Sequence, residues 1–418
     1  MITRRTTFRL YPTKAQEQIL FYWKKLHCLL YNAAVANRRT QYKRFGKSVD
    51  YYQQQNCLPE FKKVWVEYQE LNSQSLQATL KRVDLAYQSF FKGLRGYPKF
   101  KASRHYSGWT YPANTGWKAM TNGQHGKLHL SKLGYIKMRG QVRTWGDTTS
   151  CTIFYRHGKW YASITVKCQP ERTTDKGAVG IDLGCVDAIT FDSGEAIVAP
   201  KFYKQTLEKV GKLSKDKRRK RAPNKKKKTK ASRRWRKAQA KVSKVQRKAG
   251  RQRKDWAHKT TTIIVSSNSL VVGEKLTVKN MTRKAKKGKP RKQKSGLNRS
   301  ILDTGMGMIS KMLAYKEEEA GGMYLESPTK TLKPTQRCHS CWTVVPKQLS
   351  ERTHSCTCGT TCGRDENAAK VNLKWALGTS VLSRGCQTST PIPQNTGGWA
   401  QVWQMKRLKP LARRSEAE

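Results

Sequence analysis

Thr7, Phe8, Arg9 and Leu10 alternate polar and apolar, the period of a half-buried strand. Pro12 and Thr13 then signal a helix start, and Ile19, Leu20, Trp23, Leu26 and Leu30 recur at helical spacing. A second helical stretch is predicted from about Glu60 to Leu94, with Val64, Val66, Leu76, Leu80 and Val83 on its buried side. Gly96, Tyr97 and Pro98 end it. Beyond Lys101 the period falls to two in KLHLSKLGYIKM, TTSCTIFY and WYASITV, with a hairpin turn at Arg156–Lys159. These patterns predict a small antiparallel β domain, 1–10 plus 101–172, interrupted by a helical domain over 11–100.

Thr173–Gly177 reads as a linker. AVGIDLGCVDAITFDSGEAI then predicts an apolar strand, a glycine-containing turn, a second strand and a turn at Asp192–Gly194. Residues 204–260 predict two basic helices separated by a lysine-rich loop at Pro223 and Asn224. TTIIVSSNSLVVGEKL returns to a helix end and a strand. Residues 283–295 read as a basic loop that orders on its partner. Ile301–Gly321 and Asp365–Leu377 read as helices. The residues 379–418 read as a loosely ordered tail.

Charge changes the picture most. The 418 residues carry 85 Lys+Arg against 27 Asp+Glu, a formal net charge of +58. Self-repulsion on that scale opposes compaction unless a polyanion screens it. With 12 Trp, 17 Tyr and 10 Phe the chain can still build cores, so it is not merely a basic tail. A small-metabolite enzyme with incidental charge is excluded, and a large nucleic acid is the expected partner. The N-terminal segment MITRRTTFRLYP has no apolar run of a secretory signal, and no membrane-length apolar run occurs, so a cytoplasmic, membrane-free setting is expected.

Acids are scarce, which makes those at strand ends informative. Asp182 lies in VGIDLG, Glu274 ends LVVGE, and Asp365 opens the helix DENAA. A carboxylate in an apolar strand is costly to bury without a cation. Three acids gathered in a polyanion-binding chain suit Mg²⁺, a hard ion that takes oxygen ligands. Two such ions about 3.5–4 Å apart can act on a phosphodiester. Asp187, Asp192, Glu195 and Asp303 read as solvated or capping acids, although Asp303 is expected to start a helix that could lie near that site.

The 11 cysteines are uneven. Cys338 and Cys341 form a C-x2-C knuckle, Cys356 and Cys358 a C-x-C knuckle, and Cys362 follows closely. Four thiolates make a closed structural Zn²⁺ site. Either Cys358 or Cys362 could be the fourth ligand. Such density in one segment fits a reducing compartment better than a disulfide framework.

Together FRLYPTKAQ, YNAAVANRR, LQATLKRVDLAYQSFF, GYPKFK, VGIDLG, VVGEKLTVKNM, QRCHSC…ERTHSCTCG and RDENAAK resemble the TnpB family. These are RNA-guided nucleases of bacterial insertion sequences, related to type V CRISPR effectors. The resemblance covers most of 1–378. It departs at Gly363, where the family usually has a first Asp before Arg-Asp. It implies an α+β multidomain fold: a β-barrel wedge-like domain with a helical recognition insertion, and a RuvC domain over 175–378. That domain would be RNase H-like, a mixed sheet with helices, carrying a zinc ribbon-type finger at 335–362. It implies Asp182, Glu274 and Asp365 as catalytic acids holding two Mg²⁺, and one Zn²⁺ on Cys338, Cys341, Cys356 and Cys358. It implies a guide RNA from the transposon end and double-stranded target DNA as partners. A monomer on its RNA is the simplest assembly, the oligomeric state being otherwise open. A guide–target duplex of ~20 bp carries about 40 phosphates, on the scale of the charge. Gln74, Gln77 and Lys81, on one helix face, are candidates for the flanking DNA motif. Arg218, Arg219, Lys220 and Arg221 are candidates for phosphate contacts. The competing readings are a non-cleaving, repressor-like RNA-guided DNA-binding protein and a small type V CRISPR effector.

Overall fold

The computed structural model describes residues 1–378 apart from 143, 170–171, 225–228, 286–289 and 349. The expectation for 379–418 therefore lies outside the described residues. The chain divides into two compact units: Met1–Thr174 with Glu318–Gly321, and Asp175–Glu317 with the chain from Gly322.

The first unit begins with β1 (Ile2–Tyr11), whose alternation buries Phe8 and Leu10 and turns Arg9 outward. Helices α1 (Lys14–Phe45), α2 (Tyr51–Asn56), α3 (Leu58–Val64) and α4 (Ser73–Phe91) follow. Six strands complete the sheet: β2 (Gly108–Tyr111), β3 (Trp117–Met120), β4 (Gly126–Leu130), β5 (Gly134–Arg139), β6 (Asp147–Arg156) and β7 (Lys159–Cys168). Their order is β2-β6-β7-β1-β5-β4-β3, and every pairing is antiparallel. The first strand thus lies inside the sheet, between β7 and β5, with the helices inserted after it. His157 and Gly158, both at positive φ, make the β6–β7 hairpin turn.

The second predicted helix is not continuous. Asn72 accepts a hydrogen bond from the Ser75 N–H at 3.1 Å and so starts α4 afresh. Before it, Val64, Trp65 and Val66 are exposed rather than buried. The apolar period runs through this stretch, but Asn72–Ser73 favours a cap over a helix interior.

The second unit holds a five-stranded mixed sheet. Its strands are β8 (Gly177–Asp182), β9 (Asp187–Phe191), β10 (Ala196–Val198), β11 (Asn268–Glu274) and β12 (Met323–Ser327). The order is β10-β9-β8-β11-β12. The β10–β9 and β9–β8 pairs are antiparallel, while β8, β11 and β12 are mutually parallel. Between β10 and β11 lie the basic helices α5 (Phe202–Arg218) and α6 (Arg233–Ser267). Then come α7 (Val278–Met281), α8 (Arg291–Thr304) and α9 (Met306–Ala320). Helix α8 begins at Arg291, inside the segment read from sequence as loop. Short α10 (Thr329–Leu332), the hairpin β13 (Thr353–Ser355) and β14 (Thr361–Gly363), and α11 (Arg364–Leu377) close the unit.

Helix α11 lies directly on β8. A Cβ added at Gly180 would stand 2.0 Å from the Ala369 carbonyl oxygen, so only glycine permits the approach. Asn372 reinforces it. Its Nδ2 donates to the Ile181 carbonyl at 3.1 Å, and its Oδ1 accepts from the Ser327 hydroxyl at 2.8 Å. One buried amide thereby joins β8, β12 and α11. Gly180→Ala should cost about 1–3 kcal/mol through overpacking, read as a lower melting temperature. A melt unchanged from wild type would contradict the close approach.

Candidate active site and metal centre

Strand β8 ends at Asp182 and β11 at Glu274. Val272 is level with Gly180 in the parallel ladder, so two residues on, Glu274 stands beside Asp182 on the same face. That is the face covered by α11 at Ala369. Asp365 lies one helical turn before Ala369, in the first turn of α11, where the helix dipole favours an acid. Three remote segments thus bring their carboxylates to one place at the carboxyl ends of parallel strands.

The electrostatics agree. Burial first, then Glu274 and Asp365, push the Asp182 carboxyl well above the ordinary range; the Leu183 N–H and Arg364 oppose the shift. Burial and Asp365 push Glu274 up to about 7. Glu274 is buried, and its Oε1 has no hydrogen-bond partner. Arg364 Nε donates to Asp365 Oδ1 at 3.1 Å. An orphaned buried carboxylate oxygen beside two further acids is a donor set that suits a hard divalent cation. Among the described residues, the sole group of His, Cys, Asp and Glu ligand atoms all within 4.8 Å of one another is made of cysteines, so the three carboxylates do not close to that distance.

That cysteine group is Cys338, Cys341, Cys356 and Cys358. The Cys338 and Cys358 sulfurs are 3.7 Å apart, and those of Cys341 and Cys356 3.5 Å. A tetrahedral site with Zn–S near 2.3 Å separates its sulfurs by about 3.8 Å. The Thr360 hydroxyl and N–H pull the Cys358 thiol down to about 6, which favours a thiolate ligand. Cys362 is outside the group; it sits on β14 opposite His354. His339 and His354 are not among the clustered ligands.

The remaining candidates scatter. Gln74, Gln77 and Lys81 all lie on α4. Gln74 accepts from the Thr115 hydroxyl, while Gln77 lines an open groove with Lys62, Lys63 and Lys132. Lys81 is held internally by Asp84 at 3.1 Å and lies over the Tyr51 ring. Arg218 ends α5, and Arg218, Arg219 and Arg221 are exposed, whereas Lys220 pairs with Asp216. Asp303 belongs elsewhere. It accepts from the Tyr203 and Lys204 N–H groups and pairs with Arg253 at 2.6 Å, capping α5 from another helix. Asn372 and Arg364 were missed by sequence reasoning. The only available hint was a polar residue on an otherwise apolar helix face.

The raised acids make a linkage. The folded Glu274 holds its proton up to about 7, above its ordinary 4.5. Stability therefore falls as pH rises through that interval, and the loss is complete above about 7. In magnesium-free buffer at pH 8, Glu274→Gln should melt roughly 5 °C above wild type. Added Mg²⁺ should raise the wild-type melt and leave the variant's unchanged. Identical melts and identical Mg²⁺ responses would sink the assignment.

Three family profiles match the chain. Residues 1–47 match "Helix-turn-helix domain" of the OrfB_IS605 type, and 162–285 match OrfB_IS605, "Probable transposase". Residues 307–372 match "Cas12f1-like, TNB domain". The protein "Putative RNA-guided DNA endonuclease InsQ" of Escherichia coli (strain K12) is 29% identical over 93% of this chain and 96% of its own. A "Putative RNA-guided DNA endonuclease" of Streptomyces pristinaespiralis is 29% identical over 92% of each. The solved structure of the mini-RNA-guided endonuclease CRISPR-Cas_phi3 aligns with 93% of this chain and 94% of its own, at 9% identity and a TM-score of 0.44, too distant to carry an argument. The motifs in VGIDLG, VVGEKL and RDENAAK, the matching profiles and the relatives spanning nearly the whole chain together bear out the resemblance to the TnpB family of IS605-type elements.

Proposed function

We propose that the chain is an RNA-guided DNA endonuclease of a transposable element, cutting target DNA beside a short recognised motif. The carrying observation is the gathering of Asp182, Glu274 and Asp365, with Glu274 Oε1 orphaned, inside a chain of net charge +58. A non-cleaving RNA-guided binder has no use for such a cluster and would be more stable without it. Full-length relatives named as RNA-guided DNA endonucleases support the same reading.

The strand order, with an antiparallel trio continued by two parallel strands and α11 across them, supports an RNase H-like RuvC domain. The seven-stranded antiparallel sheet supports the barrel-type wedge domain, with β2 and β3 as the strands to be brought together. Asp182, Glu274 and Asp365 would hold two Mg²⁺ ions, which would supply charge stabilisation for phosphodiester hydrolysis to 5′-phosphate and 3′-hydroxyl ends. The chain's own residues prepare that place. Asp182 and Glu274 are held side by side by the β8–β11 ladder, and Asp365 is held over them by α11. Arg364 fixes the Asp365 carboxylate by its 3.1 Å contact. The four cysteines hold Zn²⁺ as a structural ion. His258 Nδ1 lies 3.4 Å from the Tyr315 hydroxyl, and the residue is read as packing or a phosphate contact rather than as a base.

Nucleic acid is held by cationic surface. Helices α5 and α6 carry exposed lysines and arginines along their length. On the first unit's sheet, cross-strand neighbours include Arg9 with Arg139, Lys127 with Lys137, and His129 with Tyr135. Strands β1, β3, β4, β5 and β7 contain no acid. Guide RNA and target DNA are the fitting partners, in the cytoplasm; among the described residues no helix is long and apolar enough to cross a membrane.

The test is the protein purified with its RNA, whose sequence names the guide and hence the target. Asp182→Ala should abolish cleavage of that target, at least a thousand-fold in rate by analogy with removal of a catalytic group, and leave RNA binding within a few-fold. Cleavage retained by the variant would refute the site. A wild type that binds the target but never cuts it would favour the repressor-like reading.

A further inference from the structure

Asn367 follows Asp365 by two positions in the first turn of α11 and is fully buried. None of its amide is idle. Oδ1 accepts from the His339 N–H at 3.1 Å and lies 3.0 Å from His339 Nδ1. Nδ2 donates to the Arg337 carbonyl at 2.6 Å and reaches the Pro334 carbonyl at 3.4 Å. Arg337 and His339 flank Cys338, so this one amide clasps the first cysteine knuckle from both sides. A further bond runs from Lys374 Nζ, two turns along α11, to the His339 carbonyl.

A second tether stands on the other side of Asp365. The Arg364 N–H donates to the Arg352 carbonyl at 2.8 Å, and its guanidinium to the Glu351 carbonyl at 2.9 Å. Those carbonyls lead into β13, which runs straight to Cys356. The residue before Asp365 is thus tied to the second knuckle, and the residue two after it to the first. The finger between is short and irregular, its strands among the described residues being the three-residue β13 and β14. A segment of that kind keeps its backbone in place through its metal.

We propose that Asn367 is a positioning residue that couples the cysteine cluster to Asp365, so that Zn²⁺ in the finger tightens divalent-cation binding at the acid cluster. The inference rests on the acid-cluster reading above. With zinc bound, the Arg337 carbonyl and the His339 N–H are fixed, and the amide clamps the start of α11. Without zinc both partners move, and Asp365 loses its place over Asp182 and Glu274. Coupling between sites is reciprocal, so Mg²⁺ should in turn tighten zinc. A buried amide that served only the fold would lower stability without making the Mg²⁺ response depend on zinc.

The experiment is a Mg²⁺ titration of the full chain followed by thermal shift, with zinc per chain measured by elemental analysis. Zinc-loaded Asn367→Ala should keep one zinc per chain and need about 5–20-fold more Mg²⁺ for half of the shift. Wild type stripped of zinc should need a similar increase, and stripping the variant should add nothing further. A variant with the wild-type midpoint, or effects of the two changes that simply multiply, would overturn the coupling. Should Asn367→Ala fail to fold, Cys358→Ser must raise the midpoint in its place, since it weakens the site from its exposed ligand; an unchanged midpoint there overturns the proposal equally. Glu274→Gln separates the two readings. If wild type shows a Mg²⁺ shift that Glu274→Gln removes, the acid cluster stands and only the coupling is at issue. If wild type shows none, the acid cluster falls, and the coupling with it.

Discussion

The Ala369 carbonyl of α11 occupies the space where a β8 side chain would otherwise stand, and Gly180 is the residue that yields it. Much follows from that contact. It sets the height of α11 above the sheet, hence the height of Asp365 above Asp182. The Asn372 amide then locks the rotation of the helix through bonds to Ile181 and Ser327. Two points along a helix fix both its distance and its azimuth. The acids at the strand ends need no such help, because the β8–β11 ladder places them by register alone.

Charge supplies the opposing constraint. The chain is cationic almost everywhere, yet its interior gathers three acids whose mutual repulsion and burial raise Asp182 and Glu274. Interior carboxyls without full partners weaken the metal-free fold at neutral pH. Under the proposed function a divalent cation would stabilise this arrangement, since it would remove the repulsion and take Glu274 Oε1 as a ligand. A surface that concentrates phosphate and a pocket that concentrates carboxylate repel each other's ligands, and a bridging cation is the species that satisfies both. Under that proposal the basic helices and the acid pocket are complementary halves of one chemistry.

The features legible in the sequence were those carried by local pattern. The alternation in β1, the hairpin at His157 and Gly158, and the apolar run ending in Asp182 each announce themselves within a few residues. The cysteine spacing pointed to a four-thiol site, though not to Cys358 over Cys362, because that choice depends on how β14 turns Cys362 away toward the His354 side. The convergence of the acids came from family motifs rather than from physics, since nothing local relates residue 182 to residue 365. The break before α4 was hidden because Val64 and Val66 continue a helical apolar period while standing exposed. Asp303, read from sequence as a solvated or capping acid that could lie near the site, caps α5, whose own N-cap residue Lys201 supplies no side-chain bond. Asn367 and Asn372 were silent for a related reason: an asparagine's role is set by which carbonyls and N–H groups it meets, and those come from segments far along the chain.

The placement of the third acid gives the cysteine-rich segment immediately before it a structural purpose. Helix α11 spans 14 residues, a length at which an isolated helix is marginal in water, and its N-cap Gly363 offers no side chain to hold the first turn. That first turn is where Asp365 lies. The packing at Gly180 and Asn372 restrains the middle and end of the helix, but the fraying end would remain free. The finger supplies what the cap does not, since Arg352, Glu351, Arg337 and His339 all present backbone groups to residues 364 and 367. A local cap residue would satisfy one or two N–H groups for about 1 kcal/mol. The cysteine-rich loop instead anchors the turn from two directions, giving Asp365 a hold comparable to the one that Asp182 and Glu274 receive from a sheet.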